Sequence, residues 1–160
     1  MKHHPEVEQA LITVMTCREP RVIFEVLQGA ARSNRRRLPP GVAAPEDLSA
    51  VMRGGVAFFV AYVGGEAVGA IGYRWERGTL KIFHVAVKEA YQRCGVARRL
   101  VQALESVALA LGSTNVSLEV SREAEQHVPF ERFGYSAARP DGRPDSNRML
   151  MQKALKERTL

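Results

Sequence analysis

From residue 10 onward the chain alternates between stretches of strand period and stretches of helical period. Ala10 to Cys17 is apolar and β-branched, which predicts a strand. Arg18-Glu19-Pro20 then opens a helix, because proline suits the first helical turn. Val22, Phe24, Val26 and Leu27 supply its apolar side. Ser33 to Pro40 holds Arg35-Arg36-Arg37 and Leu38-Pro39-Pro40 and predicts a loop. Ala44-Pro45-Glu46-Asp47 begins a second short helix that ends near Gly54-Gly55. Val56 to Val63 predicts a strand, Gly64-Gly65 a two-residue hairpin turn, and Glu66 to Trp75 the return strand. Arg77-Gly78 turns the chain again into Thr79 to Val87.

After Gly95 the period changes. Val96, Leu100, Leu104, Val107 and Leu111 recur at helical spacing, with Arg98, Arg99, Gln102 and Glu105 on the other side. Gly112 caps that helix at its C-terminus. Asn115 to Ser121 predicts a strand, and a short helix around Pro129 to Phe133 closes on Gly134. Tyr135 to Arg139 and Arg148 to Leu155 are the last strands, joined by the turn-rich Pro140 to Asn147. The order β-α-α-β-β-β-α-β-α-β-β predicts a mixed α/β layer fold. No repeat, low-complexity block or linker breaks it, so residues 1–160 are expected to form one domain. A chain of this length buries roughly 70% of its unfolded surface and needs no disulfide or metal staple.

Composition narrows the class. Apolar residues make up 46% and charged residues 25%, which excludes a disordered, collagen-like or coiled-coil chain. Lys and Arg number 23 against 17 Asp and Glu, a net charge of +6. That excess suits an anionic partner: a nucleic acid, an acidic membrane or a phosphorylated small molecule. Cys17 and Cys94 are the only cysteines, too few for a disulfide framework and not spaced for zinc, so no metal is expected and a cytoplasmic location is the default. The N-terminus lacks the apolar core of a signal peptide, and no apolar run is long enough to cross a bilayer. His3-His4 reads as a frayed terminus rather than a metal site.

The chemistry concentrates in Val85-Ala86-Val87-Lys88-Glu89-Ala90-Tyr91-Gln92-Arg93-Cys94-Gly95-Val96-Ala97. A strand ends, a short loop turns, and a long amphipathic helix begins. The free N–H groups of the first helical turn and the helix dipole form an anion site. Gly95 and Ala97 let a phosphate approach the backbone, and Arg93, Arg98 and Arg99 add charge beside it. The alternative is a capped helix with an exposed basic face. Neither the Walker A pattern nor the Rossmann glycine pattern is present.

Gln92-Arg93-Cys94-Gly95-Val96-Ala97 instead resembles the Gln/Arg-x-x-Gly-x-Gly/Ala signature of the GNAT acetyltransferases. Val85-x-Val87 is similar to the end of that family's fourth strand. Leu118-Glu119-Val120 and Phe130-Glu131-Arg132-Phe133-Gly134-Tyr135 are similar to its fifth strand and the helix that ends in Gly-Phe/Tyr. The resemblance covers essentially the whole chain. It implies an α/β fold with a mixed, mostly antiparallel sheet and helices on both faces. It implies acetyl-CoA as acyl donor, with the pyrophosphate on the backbone amides of Arg93, Cys94, Gly95, Val96 and Ala97. The pantetheine arm would pair with the backbone of Val85 and Val87. The acetyl group would pass directly to a small-molecule or peptide amine in a ternary complex.

Proton arithmetic ranks the catalytic candidates. A lysine-like amine, pKa near 10.4, costs about 4.6 kcal/mol to deprotonate at pH 7, whereas the leaving thiolate costs only about 2 kcal/mol. A base therefore matters more than an acid. Glu119 is the candidate base, with side-chain parity opposite to Leu118 and Val120. Its alternative roles are a solvent-facing strand residue or an ion-pair partner. His84 on the fourth strand is the second candidate, against a satisfied structural histidine. Cys94 as a nucleophile is disfavoured, since the loop needs only its N–H.

The chain departs from the family's pattern at one point. Many members place in the helix before Gly-Phe/Tyr a Tyr that protonates the thiolate, and the expected pattern would be like Phe-Tyr-Glu-Arg-Phe-Gly-Tyr. Here Phe130 leads directly into Glu131, so that Tyr is replaced or deleted. The Asn expected at the start of that helix is also missing, with Glu123 nearest, while Tyr135 reads as a packing residue and His127 has no support. The implied activity is an N-acetyltransferase that is slow or lets water supply the proton. The alternative is a non-catalytic acyl-CoA-binding or sensing domain. A nucleic-acid binder is disfavoured, because no aromatic interleaves with the arginine-rich loop. That loop, Arg35-Arg36-Arg37, is either solvated or a contact for an acidic acceptor or a CoA phosphate. Edge strands at the C-terminus allow a homodimer.

Overall fold

Local signals and observed elements agree closely in a computed structural model that describes residues 11–34, 38–121, 127–138 and 148–155. The first strand, β1, is Ile12–Cys17, and helix α1 is Pro20–Asn34. Pro20 occupies the first helical position, and the Glu19 carbonyl accepts the N–H groups of Val22 and Ile23 at 3.1 and 3.2 Å. Helix α2 is Pro45–Arg53. Asp47 reaches back to accept the N–H groups of Ala43 and Ala44 at 2.8 and 3.0 Å, which satisfies donors a helix start leaves open. Three strands follow: β2 (Val56–Val63), β3 (Glu66–Glu76) and β4 (Thr79–Val87). A single 3-10 turn, Glu89–Tyr91, leads toward helix α3 (Val96–Ala110). The remainder is β5 (Asn115–Ser121), α4 (His127–Arg132), β6 (Ser136–Ala137) and β7 (Arg148–Ala154).

The seven strands form one sheet in the order β1-β2-β3-β4-β5-β7-β6. β1 with β2, β2 with β3, β5 with β7 and β6 with β7 are antiparallel, and β4 with β5 is parallel. The parallel register runs Leu80 to Val116, Lys81 to Ser117 and Ile82 to Leu118. The β2–β3 register slips once: Ala61 faces Gly69 but Tyr62 faces Ala67, so Val68 is the extra residue of a β-bulge.

The chain divides into two compact units. The first, Met1–Arg74 and Phe83–Leu104, has a core of Ile23, Phe24, Val26, Leu27, Leu48, Phe58 and Val60, to which α1, α2 and β2 all contribute. The second, Trp75–Ile82 and Glu105–Leu160, buries Leu80, Ile82, Ala108, Val116, Leu118, Val120, Phe130, Tyr135 and Met151.

Four readings of the sequence need correction. Ser33 and Asn34 belong to α1 rather than to the following loop. Leu111 does not join the buried face of α3; it is 59% exposed because the helix has ended at Ala110, while Val101 and Ala108 fill that face. Glu105, expected in solvent, is turned inward, with its side chain 15% exposed. Tyr135 precedes β6, which is reduced to Ser136–Ala137. Residues 1–10, Arg35-Arg36-Arg37, Glu123, residues 139–147 with the segment expected to turn, and the side chain of His127 lie outside the description.

Two helix ends show why glycine stands where it does. Gly112 has φ +82, its N–H donates to Leu109, and the Ser113 N–H donates to Ala108. Gly134 has φ +94, its N–H donates to Glu131, and the Tyr135 N–H donates to Phe130. Both are Schellman caps, which require the left-handed conformation that glycine adopts most easily. At the second cap the rings of Phe130 and Tyr135 meet edge to face at 5.6 Å, the apolar contact that completes the motif.

Candidate functional site

The loop between β4 and α3 is built from short-range bonds within the first unit. The N–H of Lys88 donates to the Val68 carbonyl at 2.9 Å, which ties the end of β4 to the β3 bulge. Tyr91 and Gln92 donate to Lys88 and Glu89 and close the 3-10 turn. Gln92 then folds back, its Nε2 donating to the Val87 carbonyl at 3.1 Å. The Cys94 Sγ is buried and reaches the Gln92 carbonyl at 3.4 Å. Thus Gln92 and Cys94, both expected at a ligand, use their side chains to shape the loop.

Two residues of this loop have positive φ: Arg93 at +62 and Gly95 at +88. Glycine tolerates this freely, whereas arginine pays a conformational cost of about 1–2 kcal/mol. Alternation of φ sign along consecutive residues turns successive N–H groups to one side, as in backbone anion nests. The first bond of the α3 ladder is Arg99 N–H to the Gly95 carbonyl at 3.1 Å, so Val96 and Ala97 have no helical carbonyl behind their N–H groups. Val96 is buried while Arg93, Arg98 and Arg99 are exposed. Arg99 also donates to the Ile12 carbonyl at 3.2 Å, so part of its fork stitches β1 to α3. Val85 and Val87 are half-buried on β4, flanking the buried Ala86. Backbone amides, a helix start and three arginines converge on one segment, and that arrangement can hold a phosphorylated ligand.

Residues 24–135 match the acetyltransferase (GNAT) family. The chain belongs to the GNAT family. No curated protein matches it by sequence. Among solved structures, the ribosomal-protein-S18-alanine N-acetyltransferase of Escherichia coli superposes with TM-score 0.71 at 16% identity, over 92% of this chain and 96% of that one. Ard1 of Thermoplasma volcanium gives TM-score 0.72 at 22% identity, over 92% and 99%. The PaiA N-acetyltransferase of Thermoplasma acidophilum, solved in complex with coenzyme A, gives 0.68 at 14%, over 90% and 99%. The mixed, mostly antiparallel sheet of this chain is therefore the GNAT fold, and the GNAT chain is an N-acyltransferase by family.

In the second unit, Glu119 of this GNAT chain projects from β5 on the face opposite to buried Leu118 and Val120, as its parity predicts. Its Oε2 accepts Arg148 at 3.2 Å, and both side chains are largely in solvent, at 45% and 64% exposure. His84 is half-buried on β4 within the first unit. Phe130 lies in α4 at the third position before the cap, directly ahead of Glu131, where the family pattern carries its tyrosine. Its ring is 8% exposed and packs at 5.9 Å on Phe133.

Sequence reading missed one polar cluster. Tyr135 is 3% exposed and its hydroxyl donates to Glu105 Oε2 at 2.9 Å. Lys153 donates to both Glu105 oxygens at 3.1 and 3.2 Å and to the Phe133 carbonyl at 2.9 Å. The Lys153 ammonium lies 5.7 Å from the Tyr135 ring centre. Burial, then the Glu105 charge and the hydrogen bond to it, push the Tyr135 phenol well above the ordinary tyrosine range. The available signal was register: Lys153 pairs with Val116, an inward position on β5, so a charge there needs an inward partner. Among the described residues no group of His, Cys, Asp and Glu is placed to hold a metal ion, and no helix is long and apolar enough to cross a membrane.

Proposed function

We propose that this GNAT chain is a single-domain acetyl-CoA-dependent N-acetyltransferase whose donor is held by the Gln92–Arg99 segment. The observation that carries this reading is the paired positive φ at Arg93 and Gly95 ahead of the open N–H groups of Val96 and Ala97. Strain of this kind persists where the surroundings enforce it, and it concentrates at ligand sites. The amides of Arg93 through Ala97 would take the pyrophosphate, Arg93 and Arg98 would add charge, and the backbone of Val85 and Val87 would receive the pantetheine arm. Bound acetyl-CoA supplies an activated thioester.

Glu119 is the proposed base, accepting the proton that the acceptor amine must lose; His84 is the alternative. With Phe130 in place of the tyrosine, water supplies the proton taken by the leaving thiolate. The acceptor is a small-molecule or peptide amine. The test is thiol release from acetyl-CoA against polyamines, amino acids, aminoglycosides and peptides, one of them carrying a free alanine amine. We expect release with at least one class, and Glu119→Gln to reduce it by about 10²–10⁴-fold. Because the Glu119–Arg148 pair is exposed and such pairs contribute at most about 1 kcal/mol, that loss would not reflect unfolding. Equal rates remove Glu119 from the mechanism. Tight CoA binding with no release for any amine favours the non-catalytic acyl-CoA-sensing reading, which the missing tyrosine motivates.

A further inference from the structure

Two consecutive residues of β3, Val68 and Gly69, touch both ends of the β4–α3 loop. The carbonyl of Val68, the extra residue of the bulge, accepts the N–H of Lys88 at the loop's start. Gly69 meets the loop's far end. A Cβ built on Gly69 would lie 2.7 Å from Val96 Cγ1, 3.1 Å from Leu100 Cδ1 and 3.4 Å from the Ala86 carbonyl oxygen. Gly69 does not have the positive φ that would itself call for glycine, so space is what it supplies.

We infer that the Val68–Gly69 bulge is the gauge that sets the position of the α3 N-terminus relative to β4, and so tunes the loop for a pyrophosphate. This rests on the reading that the loop holds the CoA phosphates. With a methyl group at residue 69, Val96 must retreat by about 0.7 Å to reach ordinary contact. Val96 is the first residue of α3, so the retreat carries the N–H groups of the first turn with it. Hydrogen bonds from N–H to oxygen occupy a window of only about 0.5 Å in donor–acceptor distance, so a shift of this size degrades several at once. Gly69 is thus a positioning residue, acting through Val96.

Gly72 provides the matched comparison. A Cβ there would lie 2.6 Å from the Phe58 ring, an equally severe clash on the same strand, and one that involves no residue of the loop. The experiment measures the dissociation constant for CoA by calorimetry, with the thermal midpoint alongside, for the full chain and for Gly69→Ala, Gly72→Ala, Val96→Ala and Gly69→Ala/Val96→Ala. We expect Gly69→Ala to weaken CoA binding about tenfold or more, and Gly72→Ala to lower the midpoint while changing the dissociation constant less than twofold. In the Val96→Ala background, where Cγ1 is gone, Gly69→Ala should change the dissociation constant less than threefold. Equal losses of affinity in Gly69→Ala and Gly72→Ala, or a full tenfold loss that persists in the Val96→Ala background, overturn the inference. If Gly69→Ala does not fold, the double variant decides: it must fold and bind CoA within threefold of Val96→Ala, and failure in either respect overturns the inference. A wild-type chain that binds no CoA refutes the functional reading itself and takes the inference with it, a result distinct from wild-type binding with no Gly69 effect.

Discussion

Replacing Lys153 by methionine keeps the aliphatic stem and removes three donated hydrogen bonds, two to Glu105 and one to the Phe133 carbonyl. What remains is a Glu105 carboxylate at 15% exposure, with the Tyr135 hydroxyl still donating to it. Breaking a fully buried pair costs about 3–5 kcal/mol. Lys153 is 29% exposed, so water reaches the vacated position and the expected loss falls to about 2–3 kcal/mol. Glu105→Gln/Lys153→Met removes both charges and leaves an acceptor for Tyr135, so it should cost only about 1 kcal/mol. The two substitutions therefore couple by more than about 1 kcal/mol, as expected for residues in contact. Urea unfolding of the full chain, followed by far-ultraviolet circular dichroism and by fluorescence of the single tryptophan, Trp75, measures each term. A loss below about 1 kcal/mol for Lys153→Met, or a double variant whose cost equals the sum of the singles, would refute the reasoning.

The raised Tyr135 phenol gives an alkaline signature. Above about pH 10 the unfolded chain releases a tyrosine proton that the folded chain keeps, so stability falls by up to about 1.4 kcal/mol per pH unit from this group. Tyr135→Phe should lose that slope, while the contributions of Tyr62 and Tyr73, also raised by burial, are shared by both proteins; parallel urea midpoints from pH 9 to 11 would contradict this. Arg93→Gly relieves a positive φ and should stabilise the fold by about 1 kcal/mol while weakening CoA binding several-fold, a trade-off read from urea unfolding and calorimetry together. Tighter binding in that variant would argue against a phosphate role for the arginine. Phe130→Tyr should change turnover on the best acceptor less than about threefold, since the thiolate it would protonate costs only about 2 kcal/mol at neutral pH. A tenfold rise in steady-state thiol release would show that the missing acid limits the enzyme.

The elements were legible because their causes are local. Strand and helix periods, Pro20 and Pro45 at helix starts, and Gly112 and Gly134 at helix ends act over a few residues, and each lies where the sequence places it. The Gln92–Ala97 motif was legible for the same reason: a loop that bonds to itself and to the end of its own strand carries its geometry in its spacing. Side-chain assignments failed where the deciding partner is distant in sequence. Glu105 reads as solvent-facing until Lys153 and Tyr135, 48 and 30 residues on, bring it a cation and a hydroxyl. Arg99, expected as a charge beside the loop, also gains the Ile12 carbonyl, 87 residues earlier, as a partner that the local pattern does not show. Gly69 carries no local signal of its role; Val96 and Leu100, distant in sequence, fill the space its missing Cβ leaves. A periodic pattern tells which side of an element is apolar, but the atoms that arrive there are chosen by packing across the whole chain. The sequence by itself determined the order of elements and the family motif in the loop between β4 and α3; tertiary structure decided which charges are paired, which rings are buried and how closely that loop is held.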